Sequence, residues 1–177
     1  MTTDDFKGLD IDEIQPKRLK KLNGKKKGNR IELELTKILS NRFKQNFSRT
    51  VSSGARWSQA LLTEEATQIF SGDLVVPKGF KFVIESKGGY DSIDMSAVFI
   101  KGNSELDSFM EQVTDDSRRC GRSPMVCWKK TRKPWLVFVL TRDLVGYEFE
   151  YAMKYTEWTG VALDHILKLN DDFFYQS

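Results

Sequence analysis

Asp73, Glu85 and Lys87 stand in the stretch FSGDLVVPKGFKFVIESK, residues 70–87, at a spacing that could do chemistry. Two carboxylates gathered at one spot repel each other unless a cation lies between them or one takes up a proton. Hard oxygen ligands with an amine alongside suit Mg²⁺, which takes a few carboxylates and keeps its waters. The apolar runs LVV and FVI flank a Pro-Lys-Gly turn signal, so the stretch reads as two strands of a hairpin. With the turn centred on Lys78-Gly79, antiparallel pairing sets Asp73 within about one residue of Glu85. Alternation along a strand puts Glu85 and Lys87 on one face, about 7 Å apart at the Cα atoms. A charged strand end is also ordinary solvated surface, so the triplet alone does not decide between the two.

The remaining composition narrows the chemistry. The chain has 177 residues, 40% of them apolar and twelve of them Phe, enough to bury one core. A single histidine, His165, and two cysteines, Cys120 and Cys127, leave no basis for structural zinc or Cys-His catalysis. The cysteines read as reduced, partly buried thiols, and His165 as a helix-surface or satisfied core residue. No apolar run approaches a membrane span, and MTTDDFKGLD lacks the apolar centre of a signal peptide, so a cytoplasmic location is expected. The net charge of +3 hides an asymmetry: residues 1–60 hold 14 of the 28 basic residues but only 7 of the 25 acidic ones. The run PKRLKKLNGKKKGNR concentrates that excess, and so dense a basic block commonly meets a polyanion. GKKKGNR is not a phosphate-binding P-loop, because no Lys-Ser or Lys-Thr follows at the required spacing.

Several elements must position these groups. Residues 1–26 lack periodicity and read as a basic arm. In NRIELELTKILSNRF, Ile31, Leu35, Ile38 and Leu39 recur at helical spacing. Glu32 falls at the edge of that buried stripe, where its carboxylate can lean over a sheet beneath. A short strand is expected in NFSRTVSSGARW and a short helix within 55–70. The hairpin follows, then a loop in GGYDSIDM and a brief extended piece in SAVFIK. Asn103 or Ser104 caps a helix to about Arg119, with Leu106, Phe109, Met110 and Val113 as its stripe. MVCWKK and PWLVFVL read as strands, the second apolar enough to be central. A strand near FEYAMKY and a helix near VALDHILKL form an appendage from about residue 141. Such an order is satisfied by an α/β fold with a mixed central sheet flanked by helices.

This order, with its acidic helix and D…ExK ribbon, resembles the PD-(D/E)XK nuclease superfamily, and within it most nearly the archaeal-type Holliday junction resolvases. KGNRIELELTKIL resembles their opening helix, with Glu32 at its acidic position. SRTVSSG resembles the Arg-rich, Ser-Gly segment after their first strand. GDLVVP followed by FVIESK resembles their metal-binding ribbon, with Asp73, Glu85 and Lys87 in place. FMEQVTDDSRRCGRSPMVCWKK resembles their second helix and the strand after it. The resemblance spans about residues 27–140. Gly72 stands where the family's signature has Pro, and the insert at 55–70 is longer than in compact members.

The resemblance implies a restriction-endonuclease-like domain over 27–177 and hydrolysis of DNA phosphodiesters. Asp73, Glu85 and the Ser86 carbonyl, completed by Glu32, would hold Mg²⁺, with Mn²⁺ as a substitute. Lys87 would orient the attacking hydroxide. Arg30, Arg49, Ser52 and Ser53 are candidates for phosphate contact, as are Lys25, Lys26 and Lys27 without reading sequence. Arg56 and Trp57 are candidates at a branch point, Trp57 by stacking on an unpaired base. Paired cuts in a four-way junction imply a homodimer, to which PWLVFVL and Trp135 are possible contributors, and DNA binding implies association with the nucleoid. The alternatives are a general PD-(D/E)XK endonuclease on linear or nicked duplex and a noncatalytic nucleic-acid-binding module.

Overall fold

Apolar spacing at 31, 35, 38 and 39 is realised as helix α1 (Gly24–Phe43), which buries Leu35, Leu39 and Phe43. The computed structural model describes residues 24–50 and 70–176, the side chains of 24–27, 97 and 99 excepted. Lys25 and Lys26 are therefore in the first turn of α1, while Ser52, Ser53, Arg56, Trp57 and the helix expected within 55–70 lie outside the described residues.

After α1 come β1 (Ser48–Arg49), β2 (Leu74–Val75) and β3 (Phe82–Gly88). Helices α2 (Met95–Lys101) and α3 (Ser104–Cys120) lead to β4 (Ser123–Lys129) and β5 (Trp135–Leu140). A 3-10 turn (Thr141–Leu144), β6 (Met153–Tyr155), β7 (Trp158–Ala162), α4 (Leu163–Ile166) and α5 (Asp171–Phe174) complete the chain. The five-stranded sheet has the order β3-β4-β5-β7-β6. β3 and β4 are parallel and the other pairs antiparallel, so the sheet is mixed. A parallel pair needs a crossover, which α2 and α3 supply.

Both faces of the sheet are covered, which explains the unbroken apolar run WLVFVL in β5 and the burial of the first five residues of β3. Phe82 and Ile84 join the core under α1; Val83 joins a second core with Leu106, Phe109, Met110 and Val113 of α3. Asn103 caps α3 by accepting from the Glu105 and Leu106 amides, both at 3.0 Å. This is an α/β, restriction-endonuclease-like architecture.

Local departures from the sequence reading have identifiable causes. β2 and β3 do not form a ladder: β2 pairs with β1. What would be the partner edge of residues 79–81 is taken by the C-terminal segment, through Lys81 N–H to Phe174 O (2.7 Å) and Gln176 N–H to Gly79 O (2.8 Å). Rings of Phe43, Phe80, Phe174 and Tyr175 pack around that junction. Arg42 tightens it by donating to the carbonyls of Leu167 (2.6 Å) and Leu169 (2.9 Å). SAVFIK is helical in α2, because Asp94 accepts from the Ser96 amide and caps it. VALDHILKL contributes only the four-residue α4 as helix, while its first residues belong to β7. Gly160 of β7 lets the Phe138 ring come within 2.5 Å of where a Cβ would be.

β5 is the middle strand and Trp135 is buried, its indole N–H donating to Glu34 (3.0 Å). Trp135 and residues 137–140 of PWLVFVL are thus core. Cys120 and Cys127 are free and buried. Among the described residues no helix is long and apolar enough to cross a membrane.

Candidate active site

Asp73 is where β1, β2 and β3 are joined. Its carbonyl accepts from the Thr50 amide and its amide donates to Ile84 O, both at 2.9 Å. Gly72 makes this possible with φ +76°; a Cβ there would lie 2.7 Å from Ile84 O and 2.8 Å from Val83 Cγ2. Neither the backbone oxygen nor the left-handed conformation accommodates a side chain. Gly72→Ala should therefore cost about 3 kcal/mol in strain and overlap, a fall in Tm on the order of 10 °C for a chain this size. Gly79 also has positive φ but meets nothing within 4 Å, so Gly79→Ala should lose only about half as much. Equal losses in thermal melts would exclude close packing as the cause.

From this position the Asp73 carboxylate reaches the open edge of β3. Its Oδ2 accepts from the Ser86 amide at 2.8 Å. The N–H and C=O of one strand residue point to the same side, so the Ser86 carbonyl faces the same place. Glu85 is buried and accepts from Lys87 Nζ at 2.6 Å. Lys87 is fixed a second time by Gln112 Oε1 on α3 (2.8 Å) and lies over the Phe109 ring.

Burial, and next to it the Asp73 charge, push the Glu85 carboxyl up to about 8. Burial also raises Asp73, with the charge of Glu32 adding to it. For Lys87, burial opposes the ammonium, but Glu85 and smaller contributions from Asp73 and Tyr90 outweigh it, for a net rise. With both acids ionised, two carboxylates against one amine leave the cluster one positive charge short, a deficit that the proton on Glu85 makes up below about 8.

That deficit coincides with unsatisfied atoms. Six buried side-chain polar atoms among the described residues have no hydrogen-bond partner, and three of them belong to Glu85 and to Thr50 and Ser86, the two residues whose backbone amides donate to Asp73. Buried polar atoms are nearly always paired, so the unpartnered Glu85 oxygen beside Asp73 stands out. Oxygen donors, two of them carboxylates, fit a hard divalent cation.

Glu32, at the buried edge of α1, has a cationic partner of its own. It is buried and accepts from Arg49 Nε (2.5 Å), while Arg49 also donates to Asn29 Oδ1 (2.7 Å). It acts on Asp73 through charge, and among the described residues no three acids, histidines or cysteines gather closely enough to cage an ion. A single four-group cluster is thus resolved into the Asp73–Glu85–Lys87 triplet and a neighbouring Glu32–Arg49 pair. Arg30 is exposed on α1, beside a cavity of about 450 Å³ lined also by Asn29, Leu33, Glu34 and Lys37.

Gln112 escapes sequence reading. It lies one turn beyond Phe109, at the margin of the apolar stripe facing β3, the one signal that could have singled it out. Asp116, a turn further on and buried, pairs with Arg119 and adds a small upward push on Glu85.

The mixed sheet, the helix acid and the D…ExK edge define a protein of the restriction-endonuclease-like class. The model of the family described as "Phage putative PDDEXK endonuclease" matches residues 23–173. The chain belongs to this family and is a nuclease of the PD-(D/E)XK superfamily. No curated protein and no solved structure gives a significant match.

Proposed function

We propose that the chain is a divalent-cation-dependent DNA endonuclease that cuts four-way junctions by paired phosphodiester hydrolysis, acting as a homodimer. The observation that carries the hydrolytic reading is the donorless Glu85 Oε2 beside the raised Asp73 carboxyl at the open edge of β3. The likeness of four ordered stretches to archaeal-type junction resolvases supports the choice of branched DNA.

Asp73, Glu85 and the Ser86 carbonyl would hold Mg²⁺, with Mn²⁺ as a substitute. Bound there, the cation lowers the pKa of water and offsets charge that builds on the phosphoryl group. Lys87, held between Glu85 and Gln112, keeps its ammonium aimed at the reacting phosphate without paying for reorganisation during the reaction. Glu32, paired with Arg49, adds its charge beside Asp73 and raises the demand for positive charge there. Lys25, Lys26, Lys27 and Arg30 contact backbone phosphates along α1 without reading sequence; Ser52, Ser53, Arg56 and Trp57 belong to the stretch that would face the branch. Binding of this kind keeps the protein with the nucleoid in the cytoplasm.

Pure protein with Mg²⁺ and labelled four-way junction, linear duplex or single strand tests the proposal. Paired symmetric nicks confined to the junction are expected. Equal cutting of linear duplex would replace it with the general endonuclease reading, and tight binding without cleavage would remove hydrolysis altogether.

A further inference from the structure

The turn joining β4 to β5, Lys129-Lys130-Thr131-Arg132-Lys133, carries four cations in five residues. Two are engaged within the fold. Lys129 pairs with Glu34 of α1, and Lys130 Nζ donates to Ile93 O (2.6 Å) above the Trp128 ring. Arg132 and Lys133 are exposed, and neither pairs with an acid among the described residues.

Unlike a typical surface loop, the turn is braced. The Asp91 carboxylate accepts from the Thr131 amide (2.7 Å) and hydroxyl (2.6 Å). Gly89 N–H donates to Lys129 O (2.9 Å), and the Trp128 indole N–H returns to Gly89 O (3.0 Å). Arg132 itself is held at φ +58°, a conformation uncommon for a side-chain-bearing residue and maintained only where the surroundings enforce it. Tyr90, at φ +53° in the bracing loop, packs edge-on against Phe109 beneath Lys87.

Register places the turn near the chemistry. Lys87 lies opposite Trp128 and Gly88 opposite Lys129 in the parallel β3–β4 pair. Arg132 is three residues further on, within about 10 Å of chain, or roughly three phosphates along one strand of a duplex.

We propose that Arg132 and Lys133 form a fixed cationic contact for the sugar-phosphate backbone of DNA flanking the bond to be cut. This rests on the nuclease reading above. The contact is indifferent to base sequence, because phosphate oxygens are the same at every nucleotide. Its bracing removes the ordering cost that a floppy basic loop incurs on binding.

Binding of the full chain to fluorescent linear duplex and four-way junction, with EDTA present and salt varied from about 50 to 200 mM, tests it. Arg132→Ala/Lys133→Ala should flatten the plot of log affinity against log salt by about 1.8, roughly 0.9 per phosphate lost. Affinity at low salt should fall on the order of tenfold or more, with Tm unchanged and turnover at saturating DNA retained. Lys154→Ala, on β6 at the opposite edge of the sheet, should leave the slope as it is. An unchanged slope in the double variant overturns the contact, as does equal flattening by Lys154→Ala, which would reduce the effect to net charge. Cleavage by the unaltered protein with no slope change removes the contact alone. A slope change without cleavage of any DNA removes the nuclease reading and leaves the contact standing.

Discussion

Replacing Asp73 by Asn, or Glu85 by Gln, lowers the rate of DNA cleavage on the order of 10³-fold or more while DNA binding without metal stays nearly unchanged. The size follows from the chemistry each carboxylate supports. A polarising cation at a phosphoryl oxygen is worth several kcal/mol of transition-state charge, and each 1.36 kcal/mol is tenfold in rate. Both substitutions keep the shape of the side chain. Asn at 73 can still accept from the Ser86 amide, and Gln at 85 relieves a buried carboxylate of its like-charged neighbour, so the fold has no reason to fail. Gel-resolved cleavage under single-turnover conditions, beside electrophoretic binding in EDTA, measures the two quantities separately. Rates near that of the unaltered protein would remove the pair from the chemistry; loss of binding along with cleavage would make them parts of the fold.

Stability of the metal-free protein falls as pH rises, the opposite of an ordinary ion-paired carboxylate. Glu85 in the folded protein gives up its proton near 8, whereas the unfolded chain releases it near 4.5. Between those values the folded form binds more protons, so unfolding becomes easier with each step up in pH. The contribution is whole below about 4.5 and is lost as pH passes through about 8. Mg²⁺ takes over from the proton, so its effect on Tm should be larger above pH 8 than near pH 5. At a hundredfold excess over Kd the gain is about 2.7 kcal/mol, or about 5–10 °C for a chain of this size. Glu85→Gln should flatten the pH slope and remove most of the Mg²⁺ shift. A melting temperature indifferent to Mg²⁺ at both pH values would leave the donorless oxygens without their cation.

How far the sequence discloses this arrangement depends on the range of the forces involved. α1 and α3 are legible because their apolar stripes and the Asn103 cap are local. SAVFIK reads as extended on its β-branched and aromatic residues, yet Asp94, accepting from the Ser96 amide and hydroxyl, caps a helix there. The β2–β3 ladder is misjudged because its competitor, the segment around Phe174, is about a hundred residues away and carries no mark of where it docks. Likewise Gly160 in TGVAL gains its meaning only once Phe138 is known to face it. In the site, the proximity of Asp73, Glu85 and Lys87 is readable from a single turn. The capture of Glu32 by Arg49 is not, since it depends on how the Phe47 amide docks on Ser40 of α1, which no local pattern discloses.

The stitching of residues 174–176 onto 79–81 has a bearing on biosynthesis. The loop so fastened lies between the two acids, and its fastener is translated long after both of them. A nascent chain carries Asp73 and Glu85 early, but the aromatic knot that spans them closes only when synthesis has passed Gln176. Vectorial production therefore delays the finished acid pair until residues 174–176 have been made, and a tag spliced directly onto Phe174 would undo the same knot.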